Sequence, residues 1–370
     1  MKRIVVVVAC LVLVSSTVFA AQNTRQTIAK APYISALAVN SATGEVLFED
    51  NADALVYPAS VLKLMDLYIV LTRIEEGKLA LTDMVQVTPE AARMGGSQVY
   101  LDPKEQFTVE EMLYALMVQS ANDAATALAM HISGSKEAFV ELMNATAKQL
   151  GMNNTTFYSE HGLPPTRDRK TDVTTARDMA ILCRELVKKP EVFKYTSTTT
   201  RGFRNDTFIM RNHNALLGKP PGVDGLKTGF FQAAGFSIAA TAQKDGQRVI
   251  TLVMGSADRK ERDAKALELL GKAITQLPAQ SEQAQNAPPA LASPEPIATS
   301  SSADPVPAPG GGQDAAKAPG VTPAPTSASS GWGKFFLGLG LGLFTFLAIV
   351  LLVGRYLQRR RDDNHYLRRG

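Results

Sequence analysis

Only two cysteines stand in 370 residues, and Cys10 lies within an apolar leader at the N-terminus. Once the leader is cleaved only Cys183 remains, so no internal disulfide can hold the fold. The sequence also contains no H-E-x-x-H and no C-x-x-C, and His131 and His213 have no partners at metal spacing. No metal is expected. Gly310 to Gly312 fall in a proline-rich stretch, not in a phosphate loop, and no cofactor pattern occurs elsewhere. Internal repeats are absent too. Basic clusters interleaved with aromatics are missing, which argues against a nucleic-acid partner. The net charge of +4 comes from the ends: without their eight basic and two acidic residues, 31 basic residues stand against 33 acidic ones.

What is present begins with those ends. Residues 1–20, "MKRIVVVVACLVLVSSTVFA", combine a basic start, an apolar run and a small-residue exit, the pattern of a secretory signal peptide. Residues 335–353, "FFLGLGLGLFTFLAIVLLV", form 19 residues without a charge, enough for a helix to cross a bilayer. Six arginines follow in residues 354–370 and only Lys334 immediately precedes the span, so the tail is expected in the cytoplasm. The expected location is the cytoplasmic (inner) membrane, single-pass, with the main domain outside it. Residues 281–331 hold 10 of the 20 prolines and no aromatic residue, and read as a disordered linker. The globular domain is therefore expected over residues 22–278.

Within it, "YISALAVN" and "GEVLFED" flank a turn at Gly44 and predict a hairpin. "VDGLKTGF", "GFSIAATAQ" and "QRVITLVMG" predict three more strands, the last two joined at Asp245-Gly246. Between these groups helices are expected over 60–76, 108–119, 122–133, 135–150 and 174–188, with a capping box at Thr108 and Glu111. The fold class is α+β: an antiparallel sheet built from both ends of the domain, flanking helices and an inserted helical lobe. A C-terminal transmembrane helix would complete the chain.

One residue disturbs the apolar helix "YPASVLKLMDLYIVL": Lys63, three places after Ser60. Such residues share a helix face, and a desolvated lysine can be a neutral base beside a hydroxyl. A bland alternative is a capping serine followed by a snorkelling lysine. Two further motifs favour the chemical reading. Ser120-Ala121-Asn122 falls at the junction of two predicted helices, and Lys227-Thr228-Gly229 within a predicted strand. S-x-x-K, S-x-N and K-T-G in this order mark the serine acyl-transfer enzymes of the penicillin-binding and β-lactamase type. Acyl transfer needs a nucleophile, a base, oxyanion donors and a substrate clamp. Lys227 would add positive charge that drives the proton off Lys63 and attracts an anionic substrate. The exposed strand edge after Gly229 can pair with an extended peptide.

Residues 32 to 275 resemble the D-alanyl-D-alanine carboxypeptidases, the low-molecular-mass penicillin-binding proteins of the β-lactamase/transpeptidase-like fold. "PAS", "GGS" (Gly95 to Ser97), "SANDAATALA", "LGMNNTTF", "HGL", "ARDMA", "VDGLKTG" and "VMG" carry the resemblance. It implies removal of the terminal D-Ala from a peptidoglycan stem peptide, with β-lactam antibiotics as covalent inhibitors. Ser60 would be acylated, Lys63 would be its base, and Ser120 and Asn122 would relay a proton and hold the substrate amide. Lys227, Thr228 and Gly229 would bind substrate, with an oxyanion hole from the backbone N–H groups of Ser60 and Phe230. Arg262, ahead of Arg259, would hold the substrate carboxylate. His161 would be a loop histidine bonded to backbone, with a part in deacylation as the alternative.

Four features depart from the family, one being the expected spanning helix in place of a terminal amphipathic anchor. Asp66 replaces a small residue, and an ion pair with Lys63 would weaken the base. Phe230-Phe231 replaces a more polar pair, and a small β-rich domain after the catalytic one is missing. A β-lactamase is the nearest enzymatic rival, but no glutamate between Asn122 and Lys227 has asparagine four residues later. A non-catalytic, membrane-tethered wall-binding scaffold is the rival of another kind.

Overall fold

The computed structural model describes residues 28–166 and 169–277. The expected signal peptide, linker, membrane span and basic tail therefore lie outside the described residues, and among the described residues no helix is long and apolar enough to cross a membrane. The chain opens with β1 (Ser35–Asn40) and β2 (Val46–Asp50), then a 3-10 turn at Ala59–Leu62 leading into α1 (Lys63–Glu75). The lobe follows: β3 (Met84–Gln86), α2 (Pro89–Ala92), β4 (Gln106–Thr108), α3 (Val109–Val118), α4 (Asn122–Ser133) and α5 (Lys136–Leu150). Next come α6 (Ala176–Val187), α7 (Val192–Thr196) and a hairpin of β5 (Thr200–Phe203) and β6 (Phe208–Arg211). Strands β7 (Val223–Phe231), β8 (Gly235–Lys244) and β9 (Gln247–Ser256) precede the last described helix, α8 (Arg259–Gln276).

The main sheet is five-stranded, in the order β2-β1-β9-β8-β7. Its closure joins the two ends of the domain, because β1 runs antiparallel to β9 from Ser35 opposite Met254 to Asn40 opposite Val249. Asp245 and Gly246 both hold positive φ at the β8–β9 turn, as a type I′ hairpin requires.

Both sheet faces are covered. Side chains alternate along a strand, so Ala36 and Ala38 pack with Ile238, Ala240 and Val253 against Leu269, Leu270 and Ala273 of α8. Leu37 and Val39 point the other way, into the larger core that holds Leu64, Met65 and Leu67 of α1 and Met179 and Leu182 of α6. All six residues of β1 are buried as a result. Ala240 and Ala242 of β8 pack with α8, while Ala239 faces the larger core.

The helical lobe forms as its caps direct. Thr108 and Glu111 make the reciprocal capping box of α3, and Ser135 caps α5 through the Ala138 N–H. The first predicted helix differs at its start: residues 59–62 wind as a 3-10 turn, and the α-helix begins at Lys63. Seven elements were not expected from the sequence: β3, α2, β4, α7, the hairpin strands β5 and β6, and the last described helix α8.

Strand β7 is the sheet edge beside the 3-10 turn, and glycine permits the approach. A Cβ on Gly229 would stand 2.6 Å from Pro58 O and 3.0 Å from Val61 N, both backbone atoms. Gly229→Ala is therefore expected to cost about 1–3 kcal/mol as overpacking does, read as a lowered urea midpoint. An unchanged midpoint would show that the edge strand has room to retreat.

Candidate active site

Ser60 sits in the 3-10 turn directly before α1, and the preceding Ala59 holds φ 47°, a left-handed conformation that costs an alanine energy. The loop at Gly162 packs onto this turn, since a Cβ there would stand 2.3 Å from Ala59 O. Lys63 is wholly buried. Its Nζ reaches Ser60 Oγ at 3.2 Å, Asn122 Oδ1 at 2.7 Å and His161 O at 2.6 Å. The two shorter contacts can accept only N–H donors, because one acceptor is an amide oxygen and the other a backbone carbonyl. A neutral amine spends both hydrogens there and turns its lone pair towards the serine hydroxyl.

Burial pushes Lys63 down to about 8, against the opposing pull of Asp66, Glu160, Asp172 and Asp123. Lys227 is also buried and donates to Thr228 O at 3.0 Å. Burial lowers its pKa well below the usual lysine range, and the charges of Lys63 and Arg262 add to that. The expected influence of Lys227 on Lys63 is not what lowers the latter: burial alone does that, while the charge of Lys63 acts on Lys227.

Asn122 is committed inward. Its Nδ2 donates to Gly95 O at 2.7 Å while Oδ1 holds Lys63, so both ends of the amide serve the lysine and the Gly95–Ser97 loop. That is a different post from the substrate amide expected of it. Ser120 lies at the junction of α3 and α4 with φ 60° and faces the cleft. The cleft measures about 470 Å³ and is lined by Ser60, Ser97, Ser120, Thr228, Gly229 and Phe230, together with Asn212, His213, Phe236, Arg259 and Arg262.

The two arginines divide differently from expectation. Arg262 reaches the cleft but is buried, with Nε on Asp263 Oδ1 at 2.9 Å and Nη1 on Ser237 O at 3.3 Å. Most of its donors are already engaged. Arg259 is exposed at the start of α8 and lines the same cleft. His213, missed from sequence because it follows the unforeseen hairpin, is pushed down to about 4 by burial and by the charges of Lys227, Arg259 and Lys63. It is neutral at pH 7.

His161 is bonded to backbone as expected: Nδ1 accepts from Leu163 N–H at 3.0 Å, and Nε2 faces Arg169 Nη1 at 3.1 Å. Burial, with the nearby cations, drives it down to about 2. The expected ion pair between Asp66 and Lys63 is absent. Neither Asp66 carboxyl oxygen has a hydrogen-bond partner among the described residues, and burial raises its pKa well above the usual carboxylate value. Among the described residues no cluster fit to hold a metal ion occurs.

Residues 20–258 match the family described as D-alanyl-D-alanine carboxypeptidase. The chain is 39% identical over 245 residues to the D-alanyl-D-alanine carboxypeptidase DacF of Bacillus subtilis, covering 65% of this chain and 62% of that protein. It is 37% identical over 273 residues to DacC of Escherichia coli, covering 71% and 66%. The chain thus spans just under two thirds of the length of these relatives. Among solved structures, ampicillin-bound penicillin-binding protein D2 of Listeria monocytogenes is similar, with a TM-score of 0.58 and 32% identity over 65% of this chain and 97% of that one.

Asp66 carries a stability consequence. A carboxyl whose pKa rises on folding favours the fold below its unfolded value, near 3.9, and loses that contribution as pH climbs towards the folded value. Asp66→Asn removes the loss. Its melting temperature should exceed the parent's at pH 7 by at least about 2 °C, the shift from ~1 kcal/mol in a domain of this size, and the gap should close towards pH 4. A gap independent of pH would mean that Asp66 folds ionised.

Proposed function

The chain belongs to the D-alanyl-D-alanine carboxypeptidase family, and from that premise we propose that it is a serine-type D-Ala-D-Ala carboxypeptidase. It removes the terminal D-Ala from peptidoglycan stem peptides and is acylated by β-lactams. The observation that carries this reading is Lys63 Nζ, held on two carbonyl-type acceptors and aimed at Ser60 Oγ 3.2 Å away.

The steps follow from the groups present. The Ser60 hydroxyl gives its proton to neutral Lys63 as Oγ attacks the carbonyl before the last D-Ala. Negative charge on the carbonyl oxygen is met by the N–H groups of Ser60 and Phe230, which the close approach at Gly229 brings together. The C–N bond breaks, the departing amine takes a proton from the Lys63 side, and Ser60 is left as an ester. Water then releases the shortened peptide. Thr228 and Arg259 take the substrate carboxylate, and the edge of β7 pairs with the extended peptide.

A fluorescent penicillin should label the parent at Ser60 alone, and Ser60→Ala should not be labelled. Lys63→Ala should fold yet acylate at least about 100-fold more slowly, as loss of a general base entails. Parent acylation should rise through about pH 8, as Lys63 loses its proton. Label on another residue, or normal acylation of Lys63→Ala, would end this reading.

The same proposal places the protein in the cytoplasmic membrane, with the catalytic domain outside and the anchor in residues 335–353. Support comes from the uncharged run and the arginines behind it. Deleting residues 332–370 should move penicillin-labelled protein from the membrane fraction to the soluble one. Retention in the membrane would require another attachment.

A further inference from the structure

Phe230 is 54% exposed, although its immediate neighbour Phe231 is buried against Tyr57, Ala59 and Ala234. The Phe230 ring stacks on Phe236 with centroids 4.2 Å apart and planes 19° from parallel. These two are cross-strand partners on β7 and β8. Neither ring belongs to a hydrophobic core cluster among the described residues. Both line the cleft, in company with Thr228, Arg259 and Arg262. The pair is an apolar wall inside an otherwise polar and cationic cleft.

The register of a bound peptide fixes what meets this wall, and here the inference rests on the carboxypeptidase reading. Side chains two apart on a strand stand on one face, roughly 7 Å from each other. Thr228 and Phe230 are so related. With the terminal carboxylate on Thr228 and Arg259 and the scissile carbonyl at Ser60 and the Phe230 N–H, the last Cα lies between those points. We infer that the Phe230–Phe236 stack receives the side chain of the departing C-terminal residue. The enzyme then accepts terminal D-residues with an apolar side chain longer than the methyl of D-alanine, such as D-methionine. A methyl group touches little of the wall, and a longer chain covers the exposed ring.

The test compares two synthetic stem peptides, ending in D-Ala-D-Ala and in D-Ala-D-Met, on the full-length protein in detergent. Release of the terminal amino acid gives the kcat/KM ratio of the two. The parent should cleave both, and Phe230→Ser and Phe236→Ser should each lower the D-Met to D-Ala ratio by about tenfold, the low end of what apolar contacts discriminate. Should either serine variant fail to melt cooperatively, Phe236→Leu, which keeps apolar volume without the ring, should still lower the ratio. A parent that cleaves only the D-Ala peptide, or a ratio unmoved in the folded variants, overturns the inference and leaves the carboxypeptidase reading standing. No release from either peptide overturns both.

Discussion

A buried lysine amine is the constraint on which the rest depends. Lys63 has no access to water, and an ammonium in that position is costly unless it is paired or gives up its proton. Its partners come from three separate stretches: Ser60 in the turn, Asn122 at the start of the lobe's central helix, and the His161 carbonyl in a loop. Each stretch is held by contacts of its own. Asn122 ties the lysine to the Gly95–Ser97 loop through Gly95 O and Ser97 O, and Gly162 lets its loop lie against the Ala59 carbonyl. The reactive arrangement exists only when sheet, lobe and loop have all closed.

The sheet supplies the other half of the geometry. Because β1 pairs with β9, the first and last stretches of the described domain meet in the middle of the sheet and β7 is left as an edge. Unpaired edges invite association with other strands, and proteins normally blunt them. Here the edge borders the cleft and runs past Ser60 at the distance Gly229 allows, so the same backbone groups are available to an extended peptide. The second edge, β2, carries no such motif.

Much of this was legible in the sequence, for identifiable reasons. Strands β1, β2, β7, β8 and β9 carry β-branched or small apolar residues bounded by Gly44 and Asp245-Gly246, so turn chemistry and pattern agree. The helices of the lobe announce themselves by caps such as Thr108 and by closing glycines such as Gly134 and Gly151, both left-handed in the structure. Ser60 and Lys63 were found because a lysine in an apolar run contradicts its surroundings, and Lys227 because K-T-G follows S-x-x-K and S-x-N in order. His213, Asn212 and Phe236 reach the cleft only through tertiary folding, and nothing local distinguishes them. The Asp66 expectation was met only in part: no ion pair with Lys63 forms, yet Asp66 still opposes the lowering of the lysine's pKa. Spacing on a helix predicts proximity, but desolvation decides whether a nearby carboxyl is charged at all, and burial is not written in a four-residue interval.

Burial also redistributes the charge of the site. His161 and His213 are held neutral, burial pushes the Asp66 carboxyl up, both lysines are depressed, and Arg262 is matched by Asp263. The cleft therefore shows an incoming anion much less charge than its count of basic residues suggests. Arg259 is the exposed exception. A single strong anchor in a groove measures distance: with the substrate carboxylate on it, the carbonyl that meets Ser60 is the one a fixed span away, and bonds deeper in the peptide lie beyond reach. In the proposed reaction this turns a general acylating serine into an exopeptidase. It also explains why the base must be neutral through desolvation and not through a strong neighbouring cation, since a second permanent charge beside Ser60 would offer the carboxylate a competing register.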